Sequence, residues 1–212
     1  FFHEGIKSYI FGFNEAAVFY SFLSVELAVL LRASKKLGEK KMSQIEPFRF
    51  LPLIREAKIF DKKHAALAKD LYRLRNCYVH FENQILYSRI LFEKGRKFFE
   101  TYQDERIPKQ IIDETVKDIR VLQRYMENNF PSLPSLVRKK TAYIDFMRRR
   151  FDSYVQWVFK EKKWTYRKVL EGGPREILRI LQGRFDAFDA LDSSKCLLEF
   201  CTKRRRMKRP GR

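Results

Sequence analysis

The chain has 212 residues, 45% of them hydrophobic, which is enough to fill a real core and excludes disorder throughout. A formal charge of +19 points to a polyanionic partner, nucleic acid before any other. Three cysteines (Cys77, Cys196, Cys201) and three histidines (His3, His64, His80) lack the spacing of a zinc site, so neither metal nor cofactor is expected, and a reducing cytoplasm suits the odd cysteine set.

Apolar residues recur every three or four positions and glycine and proline are scarce, so the expected class is all-α, with no β-hairpin. The first ten residues hold His3, Glu4 and Lys7 and lack the apolar run of a secretory signal. A long helix is predicted from Asn14, as N-cap, to about Leu37, ending at Gly38. Its apolar tract, Ala16 to Leu31, is interrupted by Ser21, Ser24 and Glu26 and falls short of the ~20 residues of a membrane span, so it reads as a buried core helix. Glu26 there needs a buried partner, an arginine or a tyrosine, and a structural role for it is favoured over one at a catalytic site.

Pro47 and Pro52 break the next stretch into a short helix or two within 48–60. Asp61 is positioned to cap a helix whose stripe (Leu67, Leu71, Leu74, Tyr78, Phe81, Ile85, Leu86, Ile90, Phe98) runs from Lys62 to Tyr102. His64 on that helix reads as exposed rather than catalytic. Pro108 opens a further helix, 109–128, and NNFPSLP (128–134), with two asparagines and two prolines, reads as the boundary between a bundle at 1–130 and an extension at 131–212. The extension carries 22 Lys/Arg against 9 Asp/Glu. A helix is expected over 136–162, another over 175–191 after Gly172, Gly173 and Pro174, and a last one capped by Ser193 or Ser194.

Basic clusters of the extension (Arg138 to Lys140; Arg148, Arg149 and Arg150; Lys162 and Lys163; Lys203, Arg204, Arg205 and Arg206) alternate with Tyr143, Tyr154, Trp157, Trp164 and Tyr166. Each run alone is an ordinary solvated face; together they read as a phosphate-tracking surface with rings available for base stacking, although core packing explains Trp157 equally well.

In Leu71–Asn83, LYRLRNCYVHFEN, Arg75, Asn76 and His80 interrupt an apolar pattern. Asn76 and His80 lie one turn apart, and the Arg75 side chain is long enough to reach the same region, so a cation, an amide and an imidazole converge on this reading. The site falls in the middle of the helix or at a kink within it. R-N-C-Y-V-H resembles the R-N-x-x-x-H signature of the HEPN superfamily, all-helical domains of which many are metal-independent ribonucleases, and 13–36 resembles their long first helix. The resemblance implies a HEPN-like helical bundle, here with a basic helical C-terminal extension, that cleaves RNA by attack of the 2′-hydroxyl.

On the same resemblance His80 is the acid/base residue, Arg75 the phosphate clamp and Asn76 an orienting group. One motif per chain implies a homodimer with the motifs facing one cleft, or an antitoxin or second HEPN-domain protein as partner. The chain departs from the family at Phe81 and Glu82, where another polar residue often follows the histidine, and it lacks the tyrosine of the toxin subgroup. The alternatives are a HEPN-fold module that binds nucleic acid without cutting it and an interaction subunit of a larger complex.

Overall fold

The computed structural model describes residues 1–45, 49–101, 109–160 and 173–206. They are almost wholly helical, and no strand occurs among them, in keeping with the all-α expectation. The chain divides into two compact units, Phe1–Arg75 with Asp186–Arg212, and Asn76–Phe185.

In the first unit, α1 (Phe2–Ile10) turns at Gly12, φ 83°, into α2 (Asn14–Leu37). Phe13 takes the N-cap position expected of Asn14, and no side chain caps the helix, because phenylalanine carries no hydrogen-bond acceptor. Gly38 ends α2 at φ 73°, a backbone setting that disfavours any side chain. α3 (Glu39–Met42), α4 (Phe50–Ala57) and α5 (Lys62–Val79) follow. Asp61 caps α5 as predicted, its carboxylate accepting from the His64 amide at 2.9 Å.

The core of this unit forms where Ala17, Val18, Phe22, Val25, Val29 and Ala33 of α2 meet residues of α4 and α5. Phe22, Phe50 and Tyr72 pack there with ring centroids 4.9–5.9 Å apart. α2 is long and apolar enough to cross a membrane, but this face of it belongs to the core. Only half of the buried-helix expectation therefore holds, since Phe19, Leu27, Leu30 and Leu31 on the other face are 40–52% exposed.

The last helix, α10 (Gly173–Arg206), is continuous where two helices were expected. Ser193 and Ser194 do not start a new one: both are buried, and the Ser194 hydroxyl donates instead to the Ser21 carbonyl of α2 at 2.9 Å. From Asp186 onward, Ala187, Ala190, Ser194, Leu197 and Cys201 form its buried stripe in the first unit. His64 is not the exposed histidine expected. Its ring lies 4.1 Å from that of Phe200 and its Nδ1 is 2.8 Å from Asp61, so packing explains its presence.

The second unit contains α6 (Phe81–Thr101), α7 (Lys109–Asn129), α8 (Leu133–Lys139) and α9 (Thr141–Lys160). Ile85, Leu86, Ile90, Val116, Ile119, Met126, Ile144, Met147 and Phe151 fill its core. The turn at 128–134 is a connection inside this unit. The single helix expected over 136–162 is instead two, α8 and α9, which meet at Lys140. Glu100 joins α6 to α7 through Arg120 at 2.9 Å, and Lys94 joins α6 to α9 through Asp152 at 2.8 Å.

Candidate functional site

The stripe expected to run from Lys62 to Tyr102 is interrupted at His80, the one residue between α5 and α6. No glycine or proline occurs in 76–84, NCYVHFENQ, so the interruption needs another cause. Side-chain amides supply it. Asn83 Nδ2 donates to the Asn76 carbonyl at 3.1 Å, and Gln84 Nε2 donates to the Tyr78 carbonyl. The Gln84 bond satisfies a carbonyl at the end of α5, and the Asn83 bond adds a second donor to a carbonyl that keeps its helical bond. His80 bridges the two helices: its amide donates to the Asn76 carbonyl at 3.2 Å, and its carbonyl accepts from the Asn83 and Gln84 amides at 2.9 and 3.0 Å.

Asn76 is buried, 3% exposed, and its Nδ2 donates to the Tyr143 hydroxyl of α9 at 3.1 Å. Asn83 is equally buried, and its Oδ1 accepts from Lys140 Nζ at 2.9 Å. Lys140 continues the chain to Glu82, 2.7 Å away. A polar network thus fastens the helix break to the junction of α8 and α9. Glu82 is held below the ordinary carboxylate range first by its bond to Lys140, then by the charges of Lys140, Lys139 and His80.

The His80 side chain is exposed within this cluster, flanked by Val79 and Phe81, which are 46% and 67% exposed. Phe81 rests edge-on against Phe130, 6.2 Å between centroids. Arg138 and Lys139 at the end of α8 are exposed as well. A solvent-facing imidazole beside several cations and a bare aromatic ring can meet a phosphate and a base together.

Arg75 belongs to the first unit and is half-buried there, its guanidinium 5.5 Å from the centroid of the Phe22 ring. Glu26 feels the same guanidinium. Burial pushes the Glu26 carboxyl above its ordinary value of 4.5, and the Arg75 charge pulls it back in part. This agrees with the structural role favoured for Glu26, with Arg75 as the arginine it faces.

A carboxyl raised on folding favours the folded state at acid pH, and that contribution is lost as the pH rises through the folded-state value. Glu26→Gln, which is always neutral, should therefore melt higher than the parent at pH 7–8 and equally below pH 4.5. The neutral-pH gain is roughly 1–2 °C, because the side chain is only half-buried and water screens it. A melting curve that falls at every pH would mean that the Arg75 attraction outweighs burial.

Of the residues predicted to track phosphates, Arg148 is exposed and 3.6 Å from Glu93, and Arg149 is exposed. Arg150 is half-buried, with its guanidinium over the rings of Phe185 and Phe146 at 5.0 and 5.9 Å. Lys203, Arg204, Arg205 and Arg206 form the last turn of α10, while Lys162 and Lys163 lie outside the described residues. The sequence reading passed over Asn83, and it placed Lys139, Lys140 and Tyr143 on the basic surface without linking them to His80. For Asn83 the available signal was an adjacent pair of amide side chains, Asn83 and Gln84, three and four residues after a histidine in an apolar helix.

Comparisons with protein-family models, with curated proteins and with solved structures returned no match.

Proposed function

We propose that the chain is a HEPN-like endoribonuclease that uses His80 for proton transfer and works as a dimer. The observation that carries the reading is the exposed His80 imidazole among Lys139, Lys140 and Phe81, within a sequence motif that resembles R-N-x-x-x-H. In this mechanism the neutral imidazole takes the proton of a ribose 2′-hydroxyl as its oxygen attacks the adjacent phosphorus. The bond to the 5′-oxygen breaks, and that oxygen receives a proton from an imidazolium. Lysine and arginine charges offset the negative charge that builds on the phosphoryl oxygens. Arg75 has the clamp role by resemblance alone. The basic residues Arg148 and Arg149 extend the surface along which RNA is held.

The test is cleavage of a single-stranded RNA in excess EDTA. Cutting should persist, the products should end in a 2′,3′-cyclic phosphate and a 5′-hydroxyl, and the matching DNA should bind uncut because it lacks the nucleophile. Cutting that stops in EDTA, or products with 5′-phosphates, would sink the mechanism.

One observation favours the second reading, a module that binds nucleic acid without cutting it. Asn76 is buried and bonded to Tyr143, and Arg75 sits over Phe22, so both have structural duties. Salt-dependent RNA binding with no cleavage of any substrate would select that reading.

A further inference from the structure

We infer that two copies of this chain pair through the outer face of α2, antiparallel, about a two-fold axis near residue 25. The inference gives the dimer proposed above its contact surface and is independent of the RNA chemistry: a dimer that survives loss of this face sinks the inference and leaves that reading standing. On a helix advancing 100° per residue, Ala16, Phe19, Tyr20, Leu23, Leu27, Leu30, Leu31 and Ser34 share one face, opposite the core residues Val18, Val25 and Val29. Phe19, Leu27, Leu30 and Leu31 are 40–52% exposed on it. An exposed apolar stripe of this length marks an interaction surface.

The flanking charges identify the occupant. No lysine or arginine occurs between Asn14 and Leu31, a stretch that contains Glu15 and Glu26. A helix that lies on an anionic membrane or on nucleic acid carries cations beside its apolar face. This one carries none from Ala16 to Leu31, its cations beginning only at Arg32, whereas a second identical stripe requires none.

Charge also sets the direction. The first turn of α2 holds Glu15, and the far end holds Lys35 and Lys36, followed by Lys40 and Lys41. Parallel pairing would bring the two basic ends together. Antiparallel pairing separates them by about the helix length, ~30 Å and several Debye lengths, and sets each beside the partner's Glu15 end and opposed helix dipole. An axis near residue 25 then brings Leu23 level with Leu27, Tyr20 with Leu30, Phe19 with Leu31 and Ala16 with Ser34. The face is complementary to itself, as a two-fold contact must be.

Sedimentation equilibrium of the full chain is the first experiment. The parent should run at twice its 25.6 kDa mass, and Leu27→Glu combined with Leu30→Glu should run at the monomer mass with unchanged far-UV circular dichroism, since both leucines are already solvent-facing. Direction is read by oxidative cross-linking in a Cys196→Ser background, which removes the exposed native thiol. Ala16→Cys with Ser34→Cys should give a disulfide dimer, and Ser34→Cys alone should not. A monomeric parent, a dimer that survives the double glutamate variant, or cross-linking by Ser34→Cys alone would overturn the proposal. So would a monomer that binds phosphatidylserine vesicles through Leu27 and Leu30, because the face would then be a membrane contact.

Discussion

Replacing His80 by alanine should lower the rate of RNA cleavage by about 10²–10⁴-fold while leaving RNA affinity within about twofold. The split follows from the role proposed for the imidazole. It is exposed at the junction of α5 and α6, so its removal opens no cavity and the backbone bonds that hold the junction remain. A proton-transfer group acts mainly in the transition state, so its loss is felt in kcat and hardly in binding. On the proposed reading the affinity comes from the charges around it, Lys139 among them, and from phosphate contacts along the basic helices. A binding assay alone therefore cannot report on His80, and single-turnover cleavage under saturating protein is the measurement to make. Full activity in the alanine variant removes His80 from the mechanism, and equal losses of affinity and rate make it a binding residue.

The largest effect on stability is expected from Asn83→Ala, a loss of about 2–4 kcal/mol and a melting temperature lower by roughly 10 °C. Asn83 is 3% exposed and joins two partners, the Asn76 carbonyl at 3.1 Å and Lys140 Nζ at 2.9 Å. Alanine removes one neutral and one charge-assisted hydrogen bond and frees α5 to continue into α6. The neighbouring Glu82→Ala is the control: its ion pair with Lys140 lies at the surface, so its loss should leave the melting temperature nearly unchanged. Thermal melts of the two variants against the parent decide the matter. If Asn83→Ala melts within a degree or two of the parent, the break is held by core packing and not by the amides.

Asn83 also shows where sequence reasoning stopped. Period and composition were enough for the helical class, for α2 from Asn14 to Leu37 and for the Asp61 cap, because apolar spacing and first-turn chemistry act within a few residues of one another. The R-N-C-Y-V-H stretch stood out for the same reason, as polar residues inside an apolar stripe. Three outcomes depended on residues distant in sequence. The break in 62–101 comes where side-chain amides bond the backbone of α5 and where Lys140, 57 residues from Asn83, bonds one of them. Whether Ser194 starts a helix or sits inside one was decided by the Ser21 carbonyl, 173 residues away. Which half of α2 is buried was decided by the helices that pack on it, since an almost wholly apolar helix offers two faces with equal claim to the core. Spacing determines what a helix is able to bury, and only the tertiary structure determines which face meets a partner and which is left for another molecule.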